Sequence, residues 1–267
     1  MGAGTAISAL TEGAELRTWS LIVTIFGDLA RAPRAEIPGP VLSAITARIG
    51  VKPEAMRVAL HRLRKDNWLT SRRDGRVSHY LLTDVGRAES EKATGRIYAT
   101  RPSAPETWHL LIAGPMDPAE RLERDAAMAA SGHLALAPGV WLGPGRTHRP
   151  APGLFTIEGV PGQVPGWLKA EIMPPALAEA YAAFGATMAT AANALGTDSA
   201  TSALDRAALR VLVVHGWRRL VLRHPDLPDG FFPDGWAGPE TRTQVTELLA
   251  RLGKPTVAEI ATSLAEA

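Results

Sequence analysis

A chain of 267 residues with 46% hydrophobic content has room for more than one domain and for a sizeable core. The absence of cysteine excludes disulfides, thiolate metal sites and a cysteine nucleophile, and it fits a reducing, cytoplasmic setting. The net charge of +2 is unevenly spread: residues 1–101 carry 16 Lys and Arg against 10 Asp and Glu, and residues 102–267 carry 13 against 17, so a polyanionic partner is expected to meet the front of the chain.

Residues 1–17 are Gly/Ala/Thr-rich and weakly periodic, and they are expected to fray. Thr18 can cap a helix over 19–30, where Trp19, Ile22, Val23 and Phe26 recur on one face. The apolar run 21–26 within it is far shorter than the ~20 residues of a membrane span. No basic stretch precedes it as in a signal peptide, so no membrane association is expected. Pro33, Pro38, Gly39 and Pro40 break the chain. A short helix over 41–49 then carries Leu42, Ile45 and Ile49 inward, with Gly50 placed to end it.

The stretch 51–82 organises the rest. Pro53 suits the first helical turn, and Met56, Ala59, Leu60 and Leu63 form a buried stripe. Arg57, His61 and Arg64 share another side, flanked by Lys52 and Lys65. An amphipathic helix with a basic outer face is what insertion into a DNA major groove requires, although the same face occurs on any solvated bundle. Asp74-Gly75 is a two-residue turn signal between apolar runs, and Arg72, Arg73 and Arg76 surround it. A helix, a tight turn, a basic helix and a basic hairpin together predict a winged helix-turn-helix. On this reading Arg57 and His61 reach base edges, while Lys52, Arg64, Lys65, Arg72, Arg73 and Arg76 hold phosphates of double-stranded DNA.

Thr83 caps a helix running to about Ala99, and 101–105 reads as a linker. A second segment follows in the order strand (107–113), helix (117–131), strands (133–136 and 139–142), then strand (154–160). This order suggests a ferredoxin-like sheet. The Pro/Gly-rich stretch 143–153 cannot supply the second helix of that fold. From Pro174 the pattern is helical, over 176–195, 205–223, 240–252 and 257–266, with a Pro/Gly/aromatic loop at 224–239. The expected class is therefore α+β in three parts. These are a winged helix-turn-helix over 17–100, a ferredoxin-like α+β domain over 106–172, and a helical dimerisation or effector domain over 174–267.

Three blocks carry a resemblance to a known family. They are SLIVTIFGDLA with VKPEAMRVALHRLRKDNWL, then WHLLIAG with GVWLGP, then HGWRRLVLRHPDLPDGFFPDGWAG. Over about 17–252 the chain resembles the PaaX family of transcriptional repressors of phenylacetic-acid catabolism. Two departures are the contracted 143–153 segment and Phe231-Phe232, where the family more usually has aliphatic residues. The resemblance implies a homodimer on a near-palindromic operator, released by phenylacetyl-CoA or a related aryl-CoA. For such an effector, Arg218, Arg219 and Arg223 with His215 and Trp236 are the candidate contacts. Arg218 and Arg223 could equally pair with Asp226, Asp229 or Asp234.

No catalytic or cofactor motif accompanies these blocks. There is no G-x-S-x-G, H-E-x-x-H, P-loop or G-x-G-x-x-G, and the seven histidines are dispersed without metal-pair spacing. His109 and His148 could be surface or core residues, and Trp108 and Trp141 are expected in the core. Asp117 stands where a nuclease-like ferredoxin fold could place a metal carboxylate, but a helix cap before Pro118 explains it better. The alternative class is thus a nucleic-acid-processing enzyme with a winged-helix appendage; no enzyme activity, cofactor or metal is expected.

Overall fold

A computed structural model describes residues 2–100, 106–147, 152–196 and 201–266. The expected linker 101–105 and His148 lie outside the described residues. The protein is α+β, with two antiparallel sheets among helices.

In chain order the first elements are α1 (Ala3–Thr11), α2 (Thr18–Leu29), β1 (Glu36–Pro38), α3 (Gly39–Arg48), α4 (Pro53–Lys65), β2 (Leu69–Asp74), β3 (Val77–Leu82) and α5 (Asp84–Ile97). Next come β4 (Trp108–Ala113), α6 (Pro118–Ala130), β5 (Leu134–Ala137), β6 (Val140–Pro144), β7 (Leu154–Gly159) and α7 (Gly166–Ile172). The chain closes with α8 (Pro175–Leu195), α9 (Ala203–Val221), a 3-10 turn at Asp229–Phe231, α10 (Gly238–Leu252) and α11 (Val257–Ala265). These fall into two compact units, one of residues 1–100, 183–219 and 240–267, the other of 101–182 and 220–239. The expected C-terminal segment is thereby divided between them.

In the first unit α2 packs on α4 and α5, α3 packs on α4 and α11, and β1-β3-β2 forms a small sheet. Leu21, Ile22, Ile25, Phe26, Ile37, Leu42 and Ile45 are fully buried. The N-terminal segment is not frayed: α1 is helical and buries Ala6, Ile7 and Leu10. Thr18 is inside α2 rather than capping it; Arg17 holds the cap position without a side-chain bond. Gly50, at φ 89°, ends the α3 region in the left-handed conformation that suits glycine. The hairpin turn is shifted by one residue from expectation. Asp74 pairs with Val77, so Gly75 (φ 56°) and Arg76 are its central residues, with glycine first as a II′-type turn demands. Helix α9 is buried on every side: Ala207, Ala208, Leu209 and Val211–Val214 are all buried, and Arg210 and His215 with them, as for a helix enclosed by its neighbours.

In the second unit the sheet order is β5-β6-β4-β7, antiparallel throughout. Trp141 is fully buried and its indole N–H donates to Asp125 of α6 at 2.7 Å, which seats that helix on the sheet. Trp108 is only half-buried; it meets Phe231 edge-on, with centroids 6.0 Å apart. Gly143 is required where it stands, because a Cβ there would come within 2.4 Å of the His109 ring. His109 is buried and contacts His133 through their Nε2 atoms at 2.9 Å.

Candidate nucleic-acid interface

Helix α4 is built as a two-faced rod. Ala59, Leu60 and Leu63 are buried, whereas Lys52, Arg57, His61, Arg64 and Lys65 are exposed. Val58 stands among them at 71% exposure, an apolar residue off the buried stripe. Its displacement from the buried stripe is the sequence signal for this exposure. An exposed valine beside donors suits the thymine methyl at a groove floor. Arg57 donates to Glu54 at 3.0 Å across one helical turn, and both side chains are open to solvent. Arg62, in contrast, lies 5.4 Å from the centroid of the Trp19 ring and 3.5 Å from Asp66, so it serves the α2–α4 junction.

The β2-β3 hairpin brings Arg73 and Arg76 to its exposed end. Lys52, Arg64, Lys65, Arg73 and Arg76 have no ion-pair partner among the described residues. Arg72 is different. Its guanidinium donates twice to Glu36, at 2.8 and 2.6 Å, and comes 3.7 Å from Asp74. His79 Nδ1 is 2.8 Å from the same Glu36 carboxylate. The hydrogen bond from Arg72 is the main reason the Glu36 carboxyl is held below its ordinary range. Strand pairing explains the meeting, since β1 puts Glu36 opposite Leu81 on the edge of β3. Nothing local in the sequence joins residues 36 and 72.

The other predicted set is divided between the two units. His215, Arg218 and Arg219 lie on α9 in the first unit, and Arg223 and Trp236 belong to the second. Arg219 is exposed and donates to the Glu15 backbone carbonyl at 2.6 Å and its carboxylate at 3.2 Å. His215 is buried; burial, then Arg218 and Arg219, pushes its imidazole down to about 4. Arg218 donates to Thr24 at 3.1 Å, and burial lowers its pKa. Arg223 is exposed, without an ion pair among the described residues. Asp234 pairs with Lys169 at 3.1 Å, not with either arginine. Trp236 stacks on Phe232 at 4.4 Å and meets Tyr181 and His224 edge-on. Phe232 thus belongs to this aromatic cluster while Phe231 meets Trp108, and both phenylalanine rings are buried. Asp117 caps α6, accepting from the backbone N–H groups of Ala119 and Glu120 at 2.9 Å each. Among the described residues no three acidic or histidine side chains converge as a metal site would require.

The geometry is therefore a basic helix beside a basic hairpin, which can donate to base edges and bind phosphates. Two family descriptions match this chain: PaaX-like protein over residues 17–86, and PaaX-like protein C-terminal domain over 175–260. The transcriptional repressor PaaX of Escherichia coli (strain K12) is 27% identical over 257 residues, covering 90% of this chain and 81% of that one. The chain belongs to the PaaX-like family. The first family match spans α2 to the start of α5 and so contains the whole basic face; the second spans α8 to α11. An uncharacterised protein of Mycobacterium tuberculosis, Rv0674, shares the fold with a TM-score of 0.56 at 21% identity, over 92% of this chain and 97% of that one. No helix among the described residues is long and apolar enough to cross a membrane.

Proposed function

We propose that this PaaX-like protein is a non-enzymatic, cytoplasmic transcriptional repressor that binds double-stranded DNA as a homodimer. The observation that carries this reading is the exposed basic face of α4 beside the Arg73–Arg76 hairpin end, within a chain related over most of its length to a transcriptional repressor. On this reading α3, α4 and the β2-β3 hairpin are a winged helix-turn-helix within 17–100. The segment 106–172 is a ferredoxin-like domain: its strand order, counted from β4 as first, is second-third-first-fourth. No second helix stands between its last two strands among the described residues. The segment 174–267 supplies dimerisation and effector response. The family resemblance points to genes of phenylacetate catabolism and to an aryl-CoA, such as phenylacetyl-CoA, as the releasing signal.

Arg57 and His61, nearest the start of α4, read bases in successive major grooves of a near-palindromic operator. Lys52, Arg64, Lys65, Arg73 and Arg76 hold phosphates, and Arg72 joins them when Glu36 releases it. The test is a gel-shift on the upstream region of the chain's own gene and on random duplex, with parent and Arg57→Ala protein. Arg57→Ala is expected to lose discrimination between the two, by about 1–3 kcal/mol for one bidentate base contact. Arg76→Ala should weaken both complexes alike and lower the salt slope by about one. Identical behaviour of Arg57→Ala and parent on both duplexes would refute the assignment.

A further inference from the structure

The outermost line of α4 is formed by Glu54, Val58, His61 and Lys65, spaced i, i+4, i+7 and i+11, and all four are exposed. The buried residues Ala59, Leu60 and Leu63 lie on the opposite side of the helix. Three members of the line are polar or charged, as a solvated crest should be, and Val58 is the exception. At 71% exposure it adds nothing to the core. As a β-branched residue it also favours a helix less than the arginine, lysine and glutamate residues around it. Among the described residues of the first unit, Val85 is the other large hydrophobic side chain left exposed, at 49%. Val58 differs from it in place, being central on the basic face, one residue from Arg57 and three from His61.

A face built only for phosphates would carry neither a valine nor an acid on its crest. The Glu54 carboxylate has a local use, since Arg57 donates to it at 3.0 Å. Val58 has none. The major-groove edges of the bases offer one hydrocarbon group, the C5-methyl of thymine. The other groups there are donors and acceptors, and an apolar side chain pressed on them would cost their hydrogen bonds to water. A valine on the crest of an inserted helix therefore selects the methyl by exclusion. Its side chain is short, so the contact needs α4 close to the groove floor, where Arg57 and His61 also reach the flanking base pairs.

We infer that Val58 is a specificity-determining residue that packs on a thymine C5-methyl group, so that each half-site carries a thymine whose methyl is read directly. The inference rests on the repressor reading and adds a demand that the cations cannot make. Arginine and histidine discriminate by hydrogen bonds and are indifferent to the methyl of thymine, whereas an apolar contact senses it. Deoxyuridine in place of thymine removes that methyl and leaves the hydrogen-bonding groups of the base pair where they were.

The experiment begins with in vitro selection of duplexes from a random pool by the full chain, which presupposes no operator. Each thymine of a selected duplex is then replaced in turn by deoxyuridine. Affinities are measured by gel-shift for the parent, Val58→Ala and Val85→Ala. The parent is expected to lose about fourfold in affinity at one thymine per half-site, the worth of one buried methyl-sized group, and about fifteenfold when both are replaced. Val58→Ala binds the thymine and deoxyuridine duplexes alike, while Val85→Ala keeps the discrimination of the parent. A selected duplex without a methyl-sensitive thymine overturns the inference and leaves the repressor reading standing. So does equal sensitivity in parent and Val58→Ala, or lost discrimination in Val85→Ala. Complete loss of binding by Val58→Ala also overturns it, being more than one methyl contact is worth. If the parent selects no duplex, the repressor reading falls and the Val58 assignment falls with it.

Discussion

Removing the Asp28 carboxylate tests how the first unit is held together. Asp28 is 2% exposed and Arg210 7%, and the pair is bidentate, with Arg210 Nε and Nη2 each 2.9 Å from an Asp28 oxygen. The Tyr98 hydroxyl donates to the same carboxylate at 2.8 Å. Arg210 Nη1 is satisfied separately by the carbonyls of Leu249 and Gly253, at 2.9 Å each. Asp28→Ala therefore leaves Arg210 two carbonyl contacts but strands Nε and Nη2 against a void. Three charge-assisted bonds at about 1.5–3 kcal/mol each would sum to more than the true loss, because the carboxylate no longer has to be desolvated. Breaking one side of a buried pair costs about 3–5 kcal/mol. That is a large part of a domain's typical stability of about 5–15 kcal/mol, and it should lower the melting temperature by roughly 8–15 °C. Urea unfolding of parent, Asp28→Ala, Arg210→Met and the double variant Asp28→Leu/Arg210→Met measures it. The double variant should recover most of the loss, since apolar replacement of a whole buried pair is close to neutral. A loss below about 1 kcal/mol for Asp28→Ala, or a double variant as unstable as the sum of the singles, would refute the reasoning.

Acid should weaken the fold through His215. Its folded pKa of about 4 lies below the ordinary 6.5, so the stability this group carries is whole above about pH 6.5 and is lost as pH falls towards 4. The loss amounts to about 3 kcal/mol. His215→Gln should show a correspondingly shallower pH dependence of its denaturation midpoint over that window. Gly86→Ala should destabilise by about 1–3 kcal/mol despite better helix propensity, because its Cβ would come within 2.3 Å of the Trp68 carbonyl oxygen. Gly27→Ala, with open space at the same atom, should stabilise by up to about 1 kcal/mol, and thermal melts of the two variants decide between these signs. Glu36→Gln should release Arg72 for phosphate, tightening non-specific DNA binding and steepening the salt slope by up to about one; an unchanged slope would place Arg72 away from the backbone.

What could be read from the sequence was whatever is encoded within one or two turns of chain. The stripe of Met56, Ala59, Leu60 and Leu63 is spaced for a helix, and the structure buries the last three and leaves Met56 half-buried. Thr83 and Asp117 cap the helices they precede, since a cap needs only its neighbours. The apolar runs at 107–113 and 139–142 became β4 and β6 because β-branched and large apolar residues cluster there. The misses have a common physical origin. Helix α1 is Gly/Ala-rich, with weak propensity contrast, and its Ala6, Ile7 and Leu10 become core only through partners remote in sequence. Strand β1 has three residues in a Pro/Gly stretch, and it is a strand only because β3 has a free edge to offer. Helix α7 is seven residues between prolines, too short to display a period. Helix α9, by contrast, was expected over 205–223 and is found at Ala203–Val221, its apolar run in place of a stripe being what an enclosed helix shows. In the interface the exposed cations were legible, whereas the carboxylate that holds Arg72 was not.

The buried polar groups of the first unit also differ in strength, and that difference bears on how a signal could move. Helix α2, twelve residues long, carries Trp19 beside Arg62 of α4 near one end and Asp28 bound to Arg210 near the other. Between them Thr24 meets Arg218 through a single neutral hydroxyl, 3.1 Å away. An ionised acceptor would make a bond to this guanidinium roughly twice as strong as the hydroxyl does. The Asp28 carboxylate, by contrast, already holds Arg210 twice and Tyr98 once. The Asp28 end is thus the fixed point and the Thr24 contact the one that yields. Displacement at Thr24 acts on the helix that supports α4, one turn below the fixed point. Packed helices of this kind change arrangement in discrete steps rather than by gradual deformation. A change confined to the Arg218 side therefore reaches α2, on which α4 packs, without breaking the pair that keeps the unit folded.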